Sequence, residues 1–250
     1  MNTRFLILIL LSASLKVLSQ APLGGSVIYT RTTTYEFQST GNAEWDAYAK
    51  TLPGESKFQK QLIFSSESSL YNEALISEES LPDEHQKALF FANFGKDPKP
   101  KLKQMFIDFE KKKSCVLLEF MTREFRVEDS LENRAWKLQA ERKKIGEYIC
   151  MKATAILDGD EITAWFTPEI PVPAGPADYY GLPGLVLAVE RLDETIFLAT
   201  SVDLNVPDPD LLVPPRAGKA TSPEDFDRIV EEKVKEYRQN ASSKSSYYQK

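Results

Sequence analysis

The stretch "DYYGLPGLVLAVE", Asp178 to Glu190, places a Gly-Leu-Pro-Gly corner directly before an almost unbroken apolar run. Leu182-Pro183-Gly184-Leu185 has proline second and glycine third in a four-residue turn. Proline holds φ near about −65° and glycine accepts a positive φ, so the pattern predicts a type II turn. Gly181 predicts a close approach of backbone to a neighbour, and Tyr179 and Tyr180 bring apolar bodies with polar tips. Leu185 to Val189 are apolar on both faces, which predicts a strand covered on both sides. Upstream, "TPEIPVPAGP" has prolines at 168, 171, 173 and 176. Proline lacks a backbone donor, so this run predicts a stiff extended connection on the surface rather than an interior strand.

Outward from that corner the chain reads as β throughout. "QMFIDFE", "CVLLEFM", "REFRVED", "AWKLQAE", "EYICMKATAIL" and "EITAWFT" are strand-length runs separated by short polar intervals, the pattern of an antiparallel meander. Asp158-Gly159 suits a two-residue primed hairpin turn. "SVIYTRTTTYEF" and "KFQKQLIFSSESSLY" read as two earlier strands, and "GLVLAVERL" with "TIFLATSVDL" as a last pair. Residues 78–100 interrupt this pattern with a short amphipathic helix over Pro82–Phe94, stopped by Gly95. A longer helix begins at "SPEDF", with Ser222 as cap, Pro223 in the first turn and Phe226, Ile229, Val230, Val234 and Tyr237 on one stripe. The expected fold is mainly β with a few helices: a single strongly curved antiparallel sheet, half-barrel-like, capped by the C-terminal helix.

The first residues bound the compartment. Arg4 precedes the run "FLILILLSASLKVL" and then "SQAP", the order of a secretory signal peptide. The run is too short and interrupted for a stable transmembrane span. The expected organisation is a signal peptide over residues 1–19, one β-rich domain over 20–240 and a disordered tail over 241–250. Removing 1–19 takes away Arg4 and Lys16 and moves the formal charge from −6 to −8. An exported acidic domain of this kind argues against nucleic-acid binding. Export also permits a disulfide between Cys115 and Cys150, with two separately buried thiols as the alternative.

The segment "AWFTPEIPVPAGPADYYGLPGLVLAVE" resembles the signature of the GLPGLI family, exported proteins found mostly in Bacteroidetes, with Val186 where the family name has isoleucine. The likeness extends through "QLIFSSESSLY", "FRVEDSLENRAWKLQAERKKIGEYICMKATA" and "SPEDF". It implies export and a single β-rich domain of uncharacterised function, and it carries over no catalytic residue and no ligand.

Enzyme signatures are sparse. His85 stands alone, so neither a zinc motif nor a triad is expected around it. Asp158, Asp160 and Glu161 offer a carboxylate cluster, which solvated turn chemistry also explains. No catalytic residue, metal site or cofactor is assigned. The expected function is a non-enzymatic extracytoplasmic binding or carrier module for a hydrophobic or peptide ligand. Its expected site is Trp165, Phe166, Tyr179, Tyr180, Gly181, Leu182, Pro183 and Gly184, in a groove roofed by the proline segment. The alternative is an interaction or assembly factor for an outer-membrane receptor or secretion machine, with an outer-membrane or secreted protein as partner. A hydrolase is the weaker alternative.

Overall fold

The structure is a computed structural model and describes residues 23–37, 39, 41–73, 81–192 and 194–247. The expected signal peptide lies outside them. Twelve strands form one sheet: β1 (Gly24–Thr34), β2 (Glu55–Ser65), β3 (Ser68–Glu73), β4 (Lys101–Asp108), β5 (Lys113–Phe120), β6 (Arg123–Ser130), β7 (Lys137–Ile145), β8 (Tyr148–Leu157), β9 (Asp160–Thr167), β10 (Leu185–Arg191), β11 (Glu194–Asp203) and β12 (Lys219–Thr221). Three α-helices, α1 (Ala43–Ala49), α2 (Asp83–Asn93) and α3 (Pro223–Tyr247), accompany them.

The spatial order is β12-β6-β5-β4-β3-β2-β1-β11-β10-β9-β8-β7. Neighbours are antiparallel except β12, which runs parallel to β6 because the chain crosses from β11 to the far margin before pairing. The sheet is therefore mixed rather than purely antiparallel. Its curvature follows from one connection. β6 and β7 stand ten pairing steps apart, yet only residues 131–136 join them. Laid flat, ten steps would cover about 48 Å. The link from Ser130 to Lys137 reaches at most about 25 Å. The sheet must curl until its margins approach, giving an open half-barrel.

Local chemistry explains the turns and helix ends. Asp158 and Gly159 have φ of 52° and 89°, the primed turn that matches strand twist. Ser222 Oγ accepts from the Asp225 N–H at 3.1 Å, capping α3. Phe226 stacks 5.3 Å from Phe125 and joins Phe120 and Val127 in a small core at the β5–β6 margin. Helical backbone continues to Tyr247, into the segment expected to be a disordered tail. Among the described residues no helix is long and apolar enough to cross a membrane.

Cys115 on β5 and Cys150 on β8 are both free and buried, so the expected disulfide is not formed. Seven strands lie between their two strands in the sheet. Burial pushes the Cys150 thiol up to about 12.

The opening stretch departs from expectation in an instructive way. β10 is a strand with Leu185 to Val189 all buried, as its pattern required. The corner before it is not a type II turn. The Gly184 N–H donates to Leu182 O at 2.8 Å, a three-residue turn around Pro183, while the Leu185 N–H goes to Ile170 O at 2.9 Å. The two glycines exchange their expected roles. Gly181 has φ +90° and open space around it, whereas a Cβ on Gly184 would meet Thr167 O at 2.2 Å. Gly181 supplies a backbone conformation; Gly184 supplies room.

The proline segment is not a surface connection either. Pro168, Glu169 and Pro171 are exposed, but Ile170, Val172 and Ala174 are buried in the main core. Pro173 is half-buried and Pro176 buried; proline has no N–H to bury unpaired, so the run can go inside, and with Pro171 facing out the side chains on either side of it turn inward. The pairing of β10 with β11 is registered only from Ala188, and the edge left open upstream is taken by this segment. The Val186 N–H donates to Ala174 O at 3.0 Å, and the Val186 carbonyl accepts the Tyr29 hydroxyl at 2.6 Å. Residues 170–182 thus act as an internal plug. They are clamped by the 131–136 link: Trp136 Nε1 donates to Tyr180 O at 2.8 Å, and Arg134 lies 3.6 Å from Asp178.

Candidate functional site

Paired residues in an antiparallel sheet share a face. Register therefore places Val27, Tyr29 and Arg31 of β1 on one face with Phe58, Lys60 and Leu62 of β2, Tyr71 of β3 and Phe197 of β11. The plug reaches this inner face through Tyr179, whose ring lies edge-on 5.9 Å from Phe197. α2 covers another part of it. Tyr35 packs with Ala88 and Ala92, and Ser56 Oγ and His85 Nδ1 are 2.7 Å apart at the first turn of the helix.

Between plug and helix a cleft of about 880 Å³ remains open. It runs from Lys101 and Lys103 on β4 to Asp160 at the β8–β9 hairpin, across Lys60, Tyr71, Arg31 and Phe197. Its walls carry both signs of charge. Arg191 lies 3.6 Å from Asp160, the Thr34 hydroxyl donates to Glu194 at 3.1 Å, and Lys103 lies 3.7 Å from Glu119. Burial pushes the Asp178 carboxyl up against the opposing pull of Arg134. Burial, with Asp178 adding to it, pushes the Tyr179 phenol up to about 12, so its hydroxyl stays protonated and able to donate into the cleft.

One wall is a strand edge. β1 pairs with β2 as far as Thr34↔Glu55, but with β11 only as far as Arg31↔Phe197. Residues 32–36 line the cleft beyond that point. The Tyr35 N–H turns toward β2, donating to Gly54 O at 2.8 Å. Backbone groups alternate sides along a strand, so those of Thr34 turn away from β2, toward the cleft. Among the described residues no strand pairs with β1 there.

Of the eight residues expected to form the site, only Tyr179 lines this cleft. Trp165, Phe166, Tyr180, Leu182 and Gly184 are buried in the core, and Gly181 and Pro183 are exposed but do not line the cleft. Of the carboxylate cluster, only Asp160 reaches the cleft, and there it meets Arg191. Among the described residues no three His, Cys, Asp or Glu side chains gather to hold a metal. Sequence reasoning missed Lys60 and Thr34. The signal for Lys60 was available: in "KFQKQLIF" a lysine occupies the slot between Phe58 and Leu62 that alternation assigns to the core.

Residues 156–188, covering the hairpin, β9, the plug and the start of β10, match the model of a family described as a protein of unknown function (Porph_ging). No curated protein matches the chain. Two solved structures of PNGF-II share its fold. The C2 form aligns with a TM-score of 0.55 at 16% identity over 83% of this chain and 32% of that one. The P21 form aligns at 0.54 and 16%, over 83% and 33%. The chain spans about a third of the length of PNGF-II.

Proposed function

We propose that the chain is an exported member of the GLPGLI family and acts as a binding module that takes an extended peptide into the cleft by strand addition to β1. The observation that carries this reading is the unpaired edge of β1 beyond Arg31, set inside a cleft with polar walls. A peptide added to such an edge gains main-chain hydrogen bonds, and its alternate side chains reach the walls. The match over residues 156–188 to a family of unknown function is compatible with the family assignment. A hydrophobic ligand is disfavoured: the apolar half of the inner face is filled by Ile170, Val172, Ala174 and Leu182, and the open half is rimmed by charge. Docking of a partner on the proline segment is disfavoured by the burial of those same side chains.

The test is mass spectrometry of what co-purifies with natively exported protein, wild type against Thr34→Pro. Proline at this position removes the cleft-facing N–H and leaves the Tyr35 bond to Gly54 in place. Peptides recovered from the wild type and lost from the variant are the expected result. A lipid, or peptides retained equally by both, would contradict it.

A further inference from the structure

We infer that the ligand strand enters the cleft between β1 and β11 and pairs with both, so that the partner is an unfolded segment with two free backbone edges rather than the margin of a folded sheet. The inference rests on the strand-addition reading above and adds the class of occupant.

Three observations carry it. The first is a second strand edge in the same cleft. β11 pairs with β1 only as far as Phe197, and its residues Glu194 and Ile196 line the cleft together with Thr32, Thr33 and Thr34 of β1. Arg191 and Glu194 face each other across the tight turn between β10 and β11, so that pair exchanges hydrogen bonds. In the next pair, Glu190↔Thr195, the backbone groups then point away from the partner strand. The N–H and C=O of Thr195 therefore turn from β10 toward the cleft, as those of Thr34 turn from β2. Among the described residues no strand pairs with either edge.

The second is what keeps the two edges apart. Between Val189↔Phe197 and Glu190↔Thr195, β11 uses one residue more than β10, a bulge at Ile196. Ile196 is also where the next β1 partner after Arg31↔Phe197 would fall. A bulge bends its strand, adds local twist and ends pairing, and bulges are frequent beside functional sites. One inserted residue in β11 thus parts it from β1 while its pairing with β10 continues.

The third is width. Past the bulge the contact across the gap runs through side chains, the Thr34 hydroxyl donating to Glu194 at 3.1 Å. Those two side chains and the bond between them span at most about 10 Å from Cα to Cα. A strand lying between two others needs about 9.5 Å, twice the pairing distance. The Thr34–Glu194 bond is exposed, so giving it up on entry costs little. Native sheets ordinarily shield their open edges, and two that face each other across the reach of one strand leave the place of a missing strand. The margin of a folded partner spends one backbone edge on its own sheet and cannot pair on both sides. A flexible tail or a free peptide has both edges to give.

The experiment is calorimetric titration of the full mature chain with ten-residue peptides of alternating Thr-Ala, Thr-Glu and Thr-Lys. The tightest binder is then remade with N-methyl groups on its odd residues or on its even residues. Each methylated form lacks the donors of one backbone edge and keeps those of the other. Both are expected to bind at least about tenfold more weakly than the parent. Hydrogen exchange in the parent complex should show protection gained at the amides of both Thr34 and Thr195. A methylated peptide that binds as tightly as its parent, or protection gained at Thr34 without Thr195, overturns insertion and leaves one-sided addition to β1 standing. Binding that protects neither amide, or no binding by any of the three peptides, takes away strand addition and insertion with it.

Discussion

β10 and β1 belong to the same sheet and contribute to the same inner face, yet they end in opposite environments. On β10 all of Leu185 to Val189 are buried, and the edge that β11 leaves open is filled by the chain's own residues 170–182. On β1 Val27 and Tyr29 are fully buried, Thr32 and Thr33 are half-buried and Thr34 is exposed. The edge that β11 leaves open there is lined by a cleft instead. The difference lies in what arrives at each edge. The plug can turn tightly against β10 because Gly175 has no Cβ, which would meet Tyr179 O within the plug at 1.9 Å and the Val186 Cβ of β10 at 2.9 Å; Gly184 in turn lets the corner close on Thr167 O of β9, which a Cβ would meet at 2.2 Å. At β1 no strand pairs beyond Arg31 among the described residues, and the start of β11 is met there through side chains, the Thr34 hydroxyl donating to Glu194 at 3.1 Å; threonines, with their hydroxyls, tolerate that edge being wet.

The largest effect is expected at those two glycines. Gly175→Ala and Gly184→Ala each force a methyl group into backbone, with no flexible side chain to give way, so the first must open the plug's own turn and the second must part the corner from the end of β9. Each should lose at least about 3 kcal/mol in denaturant unfolding. A loss below 1 kcal/mol would mean that the plug is not held by close backbone contact.

The next effect concerns pH. Cys150 is ionised in the unfolded chain above about 8.5 but stays a thiol in the fold until about 12. Within that window the native state binds more protons, so stability falls as pH rises, by about 1.4 kcal/mol per pH unit for this group. Unfolding followed between pH 8.5 and 10 should show that slope, reduced in Cys150→Ala. A thiol reagent at pH 8 should modify neither cysteine in the native protein and both after unfolding. Thiols absent after unfolding would restore the disulfide.

A smaller effect sharpens the account of how the half-barrel is closed. Trp136→Phe keeps the ring in place and removes the N–H that Tyr180 O accepts. It should cost about 1 kcal/mol. Its effect should not add to that of Arg134→Ala, because both hold the same stretch of the plug.

Much of the fold was legible because its signals are local. Alternating side chains marked β4 to β9, Asp158-Gly159 marked a primed turn and Ser222-Pro223 a helix start. What was not legible is pairing between distant strands. β1 takes β11 as a neighbour across some 170 residues of sequence, and neither strand's pattern names the other. The cleft depends on that pairing stopping early, so its residues could not be gathered from sequence. The misplaced proline segment is a different case. Ile170, Val172 and Ala174 alternate with its prolines, and that period-two pattern was on view; the lack of donors obscured it, although donors are what burial would have made costly. The expected site followed the most distinctive residues, and these proved to be what seals the sheet.

Hydrogen exchange at two adjacent amides tests the open edge most directly. In the ligand-free protein the Tyr35 amide, bonded to Gly54 O, should exchange slowly, while the Thr34 amide, turned to the cleft, should exchange close to the rate of an unprotected amide. Equal protection at Thr34 and Tyr35 would show that β1 already has a partner on that side, and strand addition in the cleft would fall with it.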